Sequence, residues 1–440
     1  MRVSAPLRGA LVAGLALGSL VLGAGAPAYA ADTSCEDVTL EQTPAVTTTT
    51  PSAPARLMQV AEAQRLAEQA GSKPGEGVTV AVLDSGVAQS DRLQPVRRGQ
   101  SSGKATGLLD PQGTAVAGLI AGRGKPDQPI GIAPEATILD VRVYDRNQAN
   151  DPAAEAEPSM DRLLAGLRQV AALPKGDVDV VNVSLALALP EQLRDDLREV
   201  LADLAAKDVV VVAATGDRPE EGQPLYADFG YADREGEDAG TPPPGEDARG
   251  GTWPASAPNV VAVNATATAL VDDEVVPGDA ATDVLRSSAT DVAAPTRDAV
   301  SLGMDGASTC LISDVSTVYA AAEVSGVVAL LRSTFDETAP QIVARLTNSA
   351  TGSPTSSNVL TGHGVVQPVE ALTLAMTPGR KGDLSRTTIL DEGNERAQAP
   401  REKVDVLAST KRNAVWWGLL AGGGLIVAML LRPVLARRRD

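Results

Sequence analysis

The sequence predicts an α/β fold with a mainly parallel central sheet and helices on both faces. One observation is a regular alternation of strand-like and helix-like segments from residue 78 to residue 214. A second is that 43% of the residues are hydrophobic but only 2% are aromatic, so the core must be built from Val, Ala, Leu and Ile. Such cores are typical of buried parallel strands covered by helices.

The composition excludes several classes of function. One histidine and two cysteines cannot form a Cys/His zinc site, and two cysteines are too few for a disulfide scaffold. The net charge of −18 argues against tracking of nucleic-acid phosphates. We therefore expect no metal, no cofactor and no nucleic-acid partner. Any reaction that needs a histidine base must use His363.

The N-terminus has the pattern of a secretory signal. Arg2 and Arg8 form a short positive region before an apolar stretch over residues 9–23. Ala28-Tyr29-Ala30 then places small residues where a signal peptidase cuts. We expect a signal peptide over 1–30 with cleavage after Ala30, and an uncleaved anchor is the alternative. Residues 31–74 then form an N-terminal extension, which contains a Thr/Pro linker over 43–54 and a helix over 55–70.

The elements of the main domain, 75–376, follow in order. A buried strand is expected where an apolar run lies between turn signals, and a helix where apolar residues recur at helical spacing. The stretch 217–251 holds ten acidic and three basic residues and is interpreted as a solvated surface loop. A calcium site is the alternative, although no ligand spacing there supports one. The predicted strands are 78–83, 136–143, 178–185, 209–214 and 260–264, and the predicted helices are 113–121, 160–172, 190–206, 319–332 and 339–349.

The C-terminus has the pattern of a membrane anchor. Residues 415–431 carry no charge, Trp416 and Trp417 lie at one end, and Arg437 to Arg439 follow the other. We predict a polar linker over 377–413, a transmembrane helix over 414–432 and a basic cytoplasmic tail over 433–440, with a buried core helix as the alternative. The body would then be extracytoplasmic on a single-pass membrane protein.

Short motifs lie at the carboxyl ends of two predicted strands and at the starts of two predicted helices. The first strand ends in Asp84 within VAVLDSGV, QGTAVAGLIAG begins at Gln112, VVVVAATGD ends in Asp217, and STVYAAAEVSGVVAL surrounds Val318. In this order the motifs resemble those of the subtilisin-like serine proteases, over most of the predicted domain. The signal peptide, the Thr/Pro extension, the anchor and the basic tail resemble the mycosins, the subtilases associated with type VII secretion.

The resemblance implies a three-layer fold and a degenerate catalytic triad. Asp84 matches the triad aspartate, but Gln112 stands at the histidine position and cannot act as a base. Val318 stands at the serine position and has no nucleophilic atom. Asp217 replaces the asparagine that donates to the oxyanion. We therefore interpret the chain as a pseudoprotease.

Three residues outside these positions need an interpretation. His363 lies in Thr-Gly-His-Gly, away from the predicted nucleophile position, and is read as a turn histidine. Cys35 and Cys310 are expected to pair in an oxidising compartment, with two free thiols as the alternative.

Three functions remain open at this point. The first is an inactive structural or peptide-binding component linked to the membrane proteins of type VII secretion. The second is a serine-type endopeptidase with residual or unorthodox activity, in which Asp84 or Asp217 would activate water. The third is a surface domain without a secretion partner. A degenerate triad favours the first, because the cleft of a subtilase can pair with a peptide backbone without cutting it.

Overall fold

Within this computed structural model the described residues are 32–384, except 222, 224, 231–241, 272–273 and 279, and then 408–436. The predicted signal peptide, residues 385–407 of the predicted linker and the last residues of the predicted tail lie outside them. The chain divides into two units, Met1–Ser385 and Arg386–Asp440, and each is described by itself.

A single mixed sheet organises the first unit. Short Val- and Ala-rich runs form its strands. Parallel neighbours are joined by crossover connections, which bring the chain back to the end of the sheet where the previous strand began. Its strands are β1 Thr79–Asp84, β2 Arg97–Arg98, β3 Thr137–Arg142, β4 Val180–Val183, β5 Val210–Ala214, β6 Val260–Val271, β7 Glu274–Gly278 and β8 Val292–Pro295. The strand order is β2-β3-β1-β4-β5-β6-β7, and β8 lies beside β6. Among the described strands of this sheet, only β7 runs antiparallel to its neighbour.

Helices cover both faces of this sheet, as the sequence predicts. Alternate residues of β1 point to opposite faces, so Val80 and Val82 join one core cluster while Ala81 and Leu83 join the other. The first cluster packs under α3 (Gln112–Ala121) and α7 (Thr317–Thr334), with α8 (Ala339–Ser349) and α9 (Pro368–Thr373) on the same side. The second packs under α4 (Met160–Ala171) and α5 (Arg194–Ala206).

The predicted single helix over 55–70 is wrong. The structure has α1 (Ala53–Leu57) and α2 (Val60–Gln69) instead. Gln59 between them adopts the left-handed conformation, with a φ of 52°. An α-helix cannot continue through such a residue, so the chain turns there.

The interpretation of residues 217–251 as a solvated loop is wrong at both of its ends. Arg218 and Glu246 form an ion pair whose side chains are only 8% and 2% exposed. Arg218 also donates to the carbonyl of Val284 at 2.9 Å. A buried pair needs such additional hydrogen bonds to offset its desolvation. The two ends of the segment are therefore packed against residues 283–286, and a short helix, α6 (Tyr226–Phe229), lies between them.

The N-terminal extension packs against a small two-stranded sheet that the sequence analysis did not predict. This sheet consists of β9 (Ala299–Leu302) and β10 (Thr309–Ile312). Leu311 N–H donates to the carbonyl of Thr33 at 2.9 Å, and Thr309 N–H donates to that of Val46 at 3.0 Å. A disulfide joins Cys35 to Cys310, with their Cα atoms 4.8 Å apart. The extension is thus tied to the domain by both backbone pairing and a covalent bond.

The C-terminal region differs in part from the predicted linker and anchor. Pro378, in the predicted linker, is buried, and Gln341 of α8 donates to its carbonyl at 2.8 Å. The second unit contains α10 (Ala408–Ala436), whose backbone includes all of the predicted transmembrane segment. Among the described residues no single helix is both long and apolar enough to cross a membrane, the apolar part here being Val415–Leu430. The predicted transmembrane helix is not confirmed.

Candidate functional site

Asp84 lies at the carboxyl end of β1, at the edge of the sheet where polar side chains gather. Its side chain is fully buried. The carboxylate accepts hydrogen bonds from the N–H of Ser85 at 2.6 Å and from the hydroxyl of Tyr144 at 3.0 Å. Tyr144 follows β3, the strand next to β1, so the parallel register brings the two together. We call this edge the cleft. It is formed by the residues that end or follow β1, β3, β4 and β5, together with the first residues of α3 and α7.

Gln112 lies in direct contact with Asp84. It is the first residue of α3, and its Nε2 atom lies 3.3 Å and 3.2 Å from the two carboxylate oxygens of Asp84. The same nitrogen donates to the carbonyl of Ser184 at 3.2 Å. A carboxamide nitrogen can only donate, so Gln112 holds Asp84 without being able to take up a proton near neutral pH.

Burial is the largest influence on the pKa values of Asp84 and Tyr144. Removal from water raises the pKa of Asp84 to about 7, although the Ser85, Gln112 and Tyr144 donors each lower it. The pKa of the Tyr144 hydroxyl is raised well above its usual value by burial and by the neighbouring charge of Asp84. Tyr144 is therefore a hydrogen-bond donor at any physiological pH.

Val318 lies in the first turn of α7. Ser316 caps this helix, and its hydroxyl oxygen accepts the N–H of Val318 at 3.3 Å. Ser184, whose carbonyl accepts from Gln112, has its hydroxyl 3.5 Å from the carbonyl of Val318. Ser184 thus links Gln112 to the start of α7. An isopropyl group at this point offers no atom that could attack a carbonyl.

Asp217 closes the N-terminus of the same helix. It follows β5, and its two oxygens accept the hydroxyl of Ser316 and the N–H of Thr317, each at 2.6 Å. The N–H of Gly216 in turn donates to the Thr317 hydroxyl at 3.2 Å. Burial raises the pKa of Asp217 above its usual value, while these donors oppose the shift. A carboxyl group of the protein therefore occupies the anion-binding end of α7.

His363 lies elsewhere. Its Nδ1 atom is 2.9 Å from the carbonyl of Ser353, and its backbone N–H donates to the carbonyl of Asp291 at 2.7 Å. In the described part of the chain it has no hydrogen bond to any cleft residue named above. Within the same residues, no three Asp, Glu, His or Cys side chains are grouped closely enough to hold a metal ion.

Sequence reasoning missed three residues that shape the cleft. Tyr144, Ser184 and Ser316 each follow a strand or precede a helix. A signal existed for Ser316, because serine immediately before an apolar helix is a common N-cap. Tyr144 and Ser184 carried no comparable signal, since their role depends on which strands are neighbours.

Comparison with known proteins assigns the fold and the family. Residues 75–364 match the family model described as "Subtilase family". The chain belongs to the subtilase family. Among curated subtilases, mycosin-1 of Mycobacterium tuberculosis is 30% identical over 336 residues, which is 69% of this chain and 70% of the relative. Mycosin-3 of the same organism is 29% identical over 399 residues, 83% and 80% of the two chains. This subtilase is therefore of the mycosin type.

Solved structures agree with that assignment. The MycP3 protease from the type VII (ESX-3) secretion system has a TM-score of 0.53 and 30% identity, covering 75% of this chain and 91% of that one. A chain of the intact ESX-5 inner membrane complex has a TM-score of 0.54 and 23% identity, covering 88% and 93%. At that lower identity the likeness concerns the fold alone. The predicted subtilisin-like fold and the resemblance to mycosins are confirmed.

The raised pKa of the buried Asp84 predicts that the stability of the fold depends on pH. The unfolded chain releases this proton near pH 3.8 but the folded chain holds it to about pH 7, so folding takes up a proton in between. The contribution of Asp84 to the free energy of unfolding should therefore fall as pH rises between those values, by at most about 4 kcal/mol. Urea unfolding at about pH 5 and about pH 8 should show a steeper decline for the native chain than for Asp84→Asn. Glu68→Gln, on the exposed surface of α2, is the control and should follow the native curve. Equal slopes for the native chain and Asp84→Asn would contradict the assignment.

The cap on α7 predicts a loss of stability when it is removed. Asp217→Ala leaves a buried N–H and a hydroxyl without their acceptor, which should lower the free energy of unfolding by about 1–3 kcal/mol. Asp217→Asn keeps one acceptor oxygen and should cost less. Asp203→Ala, on the exposed face of α5, should change stability by less than about 0.5 kcal/mol. Urea denaturation compares the three, and an Asp217→Ala variant as stable as the Asp203 control would exclude a capping role.

Proposed function

We propose that this subtilase is catalytically inactive and acts as a structural or peptide-binding component linked to type VII secretion. The observation that carries the proposal is the start of α7. Val318 supplies no nucleophile there, and Asp217 accepts from the Ser316 hydroxyl and the Thr317 N–H. The resemblance to subtilases implies that a donor to the oxyanion would stand at the position of Asp217, and a carboxylate cannot donate. In a protease of this fold family, loss of the nucleophile or the base alone costs roughly a factor of a million in rate.

The geometry gives no support to an unorthodox hydrolase. Water activation requires a carboxylate with a free lone pair facing the substrate. Asp84 is fully buried and accepts from three protein groups, and Asp217 accepts from the start of α7. Both carboxyl groups are therefore engaged in holding the fold together.

The relatives support a place in a secretion complex. MycP1 comes from the ESX-1 type VII secretion system and MycP3 from the ESX-3 system. A chain of similar fold occurs in the ESX-5 inner membrane complex. For this chain we propose the same setting, with the acidic domain outside the cytoplasmic membrane and the apolar part of α10 as its single-pass anchor. A chain that keeps the fold but lacks the chemistry can still present a surface to membrane components or hold a peptide by backbone pairing.

A serine-reactive fluorophosphonate tests the loss of activity. The native protein should show no labelling, because the start of α7 carries no activated serine. The triple variant Gln112→His, Val318→Ser, Asp217→Asn should become labelled and should gain proteolysis if the scaffold still positions these residues. Val318→Ser alone is the matched control and should stay unlabelled, since it lacks the base and retains the Asp217 carboxylate. Labelling or peptide turnover by the native protein that is lost in Asp84→Ala would favour the residual protease.

Detergent extraction of membranes tests the partner. The full-length chain should co-purify with components of the type VII secretion membrane complex, and the triple variant should do so equally, because the interaction needs no catalysis. A chain ending at residue 407 should be found in the extracellular fluid. Full-length chain that is recovered from membranes without any secretion component would favour a surface domain with no such partner.

A further inference from the structure

The Thr/Pro segment of the extension has no part in the cleft, yet it occupies a defined place in the fold. Val46 N–H donates to the Ser308 hydroxyl at 2.9 Å, and Thr48 N–H donates to the Thr309 hydroxyl at 2.9 Å. Thr309 N–H donates to the carbonyl of Val46 at 3.0 Å. The segment therefore lies along the edge of β10, held by one backbone hydrogen bond and by bonds to the side chains of Ser308 and Thr309.

The side chains of residues 46–50 alternate between half-buried and exposed, so neighbouring threonines face opposite sides. The Thr48 hydroxyl points inward and donates to the carbonyl of Thr309 at 3.0 Å. Thr47 and Thr49 on either side of it are exposed. Within the described residues neither of their hydroxyl groups has a hydrogen-bond partner. The run thus presents two free secondary hydroxyl groups to solvent.

The asparagines of both N-glycosylation motifs are closed to a sugar in the folded chain. Two Asn-X-Ser/Thr motifs occur, at Asn182 and Asn264. Both asparagines are fully buried, and their side-chain nitrogens donate to Ser325 at 3.0 Å and to the carbonyl of Leu285 at 3.0 Å. The exposed threonine run differs from them in both access and composition, since Ser/Thr-rich segments with proline are typical of O-glycosylated regions in exported proteins.

We propose that Thr47 and Thr49 are O-glycosylation sites that take a hexose from a phosphate-activated donor. The threonine Oγ attacks the anomeric carbon, a C–O glycosidic bond forms, and the bond from that carbon to the donor phosphate breaks. The carrier leaves as its phosphate, and the hydroxyl proton passes to a base of the transferase. Thr48 is excluded, because a sugar on its oxygen would remove the hydrogen bond to Thr309.

The position suggests what the modification does. The Thr/Pro segment lies along the edge of the two-stranded sheet, and a sheet edge exposes backbone groups that can pair with another chain. A sugar on the outward side of residues 47 and 49 would block such pairing without disturbing the contacts that the inward side makes with β10. The inference rests on the proposed extracytoplasmic location, where exported proteins meet such transferases.

Mass spectrometry of the full-length chain purified from membranes of its native host tests the proposal. The peptide containing residues 43–54 should carry one or two hexose increments in the native protein. The Thr47→Val, Thr49→Val double variant keeps the β-branched shape and should lose them, and Thr48→Val is the matched control and should keep them. An unmodified peptide, or equal modification at Thr48, would overturn the proposal.

Protease treatment of intact cells separates this outcome from failure of the proposed function. If the domain is digested from outside but its 43–54 peptide is unmodified, the location stands and the modification is wrong. If the domain is protected inside the cell, the proposed location is wrong and the modification loses its basis with it.

Discussion

The N-terminus of α7 imposes the constraint on which much of this structure depends. The helix is buried along most of its length, and it packs against the central sheet and α3. Its first backbone N–H groups must find acceptors, because an unpaired buried donor is costly. Ser316 and Asp217 supply those acceptors from within the protein. In an active acyl-transfer site, by contrast, donors near such a helix start must be left open for the substrate. The same groups cannot serve both purposes at once.

The second retained feature, Asp84, is explained by the same reasoning. Its carboxyl group, at the end of β1, is fully buried. It is held by Tyr144, Ser85 and Gln112, so its removal would leave three donors unpaired. These contacts give the position a structural reason to be an aspartate that does not depend on catalysis. Gln112 fits the same account, because its carboxamide bridges Asp84 and Ser184 as a donor only.

The sequence predicted the parallel sheet and both helical layers because those elements are long and their apolar runs are regular. It missed β9 and β10, which are four residues each and are recognisable only from their pairing with the extension. The break at Gln59 also escaped prediction, since a left-handed glutamine leaves no mark in the hydrophobic pattern. At the site, the motifs placed Asp84, Gln112, Val318 and Asp217 at one edge of the sheet. They could not show that Asp217 binds the start of α7, because that contact joins the ends of elements about 100 residues apart.

The charges around the start of α7 also support the proposed inactivity. Burial, and then the neighbouring charges of Asp314 and Asp110, raise the pKa of Glu36 in the extension. The pKa of the Tyr319 hydroxyl, one residue after Val318, is raised by burial and by the same carboxylates. A tetrahedral intermediate carries a developing negative charge that a hydrolytic site must stabilise. Burial and the neighbouring carboxylates raise both pKa values, so negative charge is unfavourable on these two side chains. This direction agrees with the proposed inactivity, which is argued from Val318 and from the two donors that Asp217 occupies at the start of α7. Binding of a neutral or cationic peptide segment would place no negative charge there.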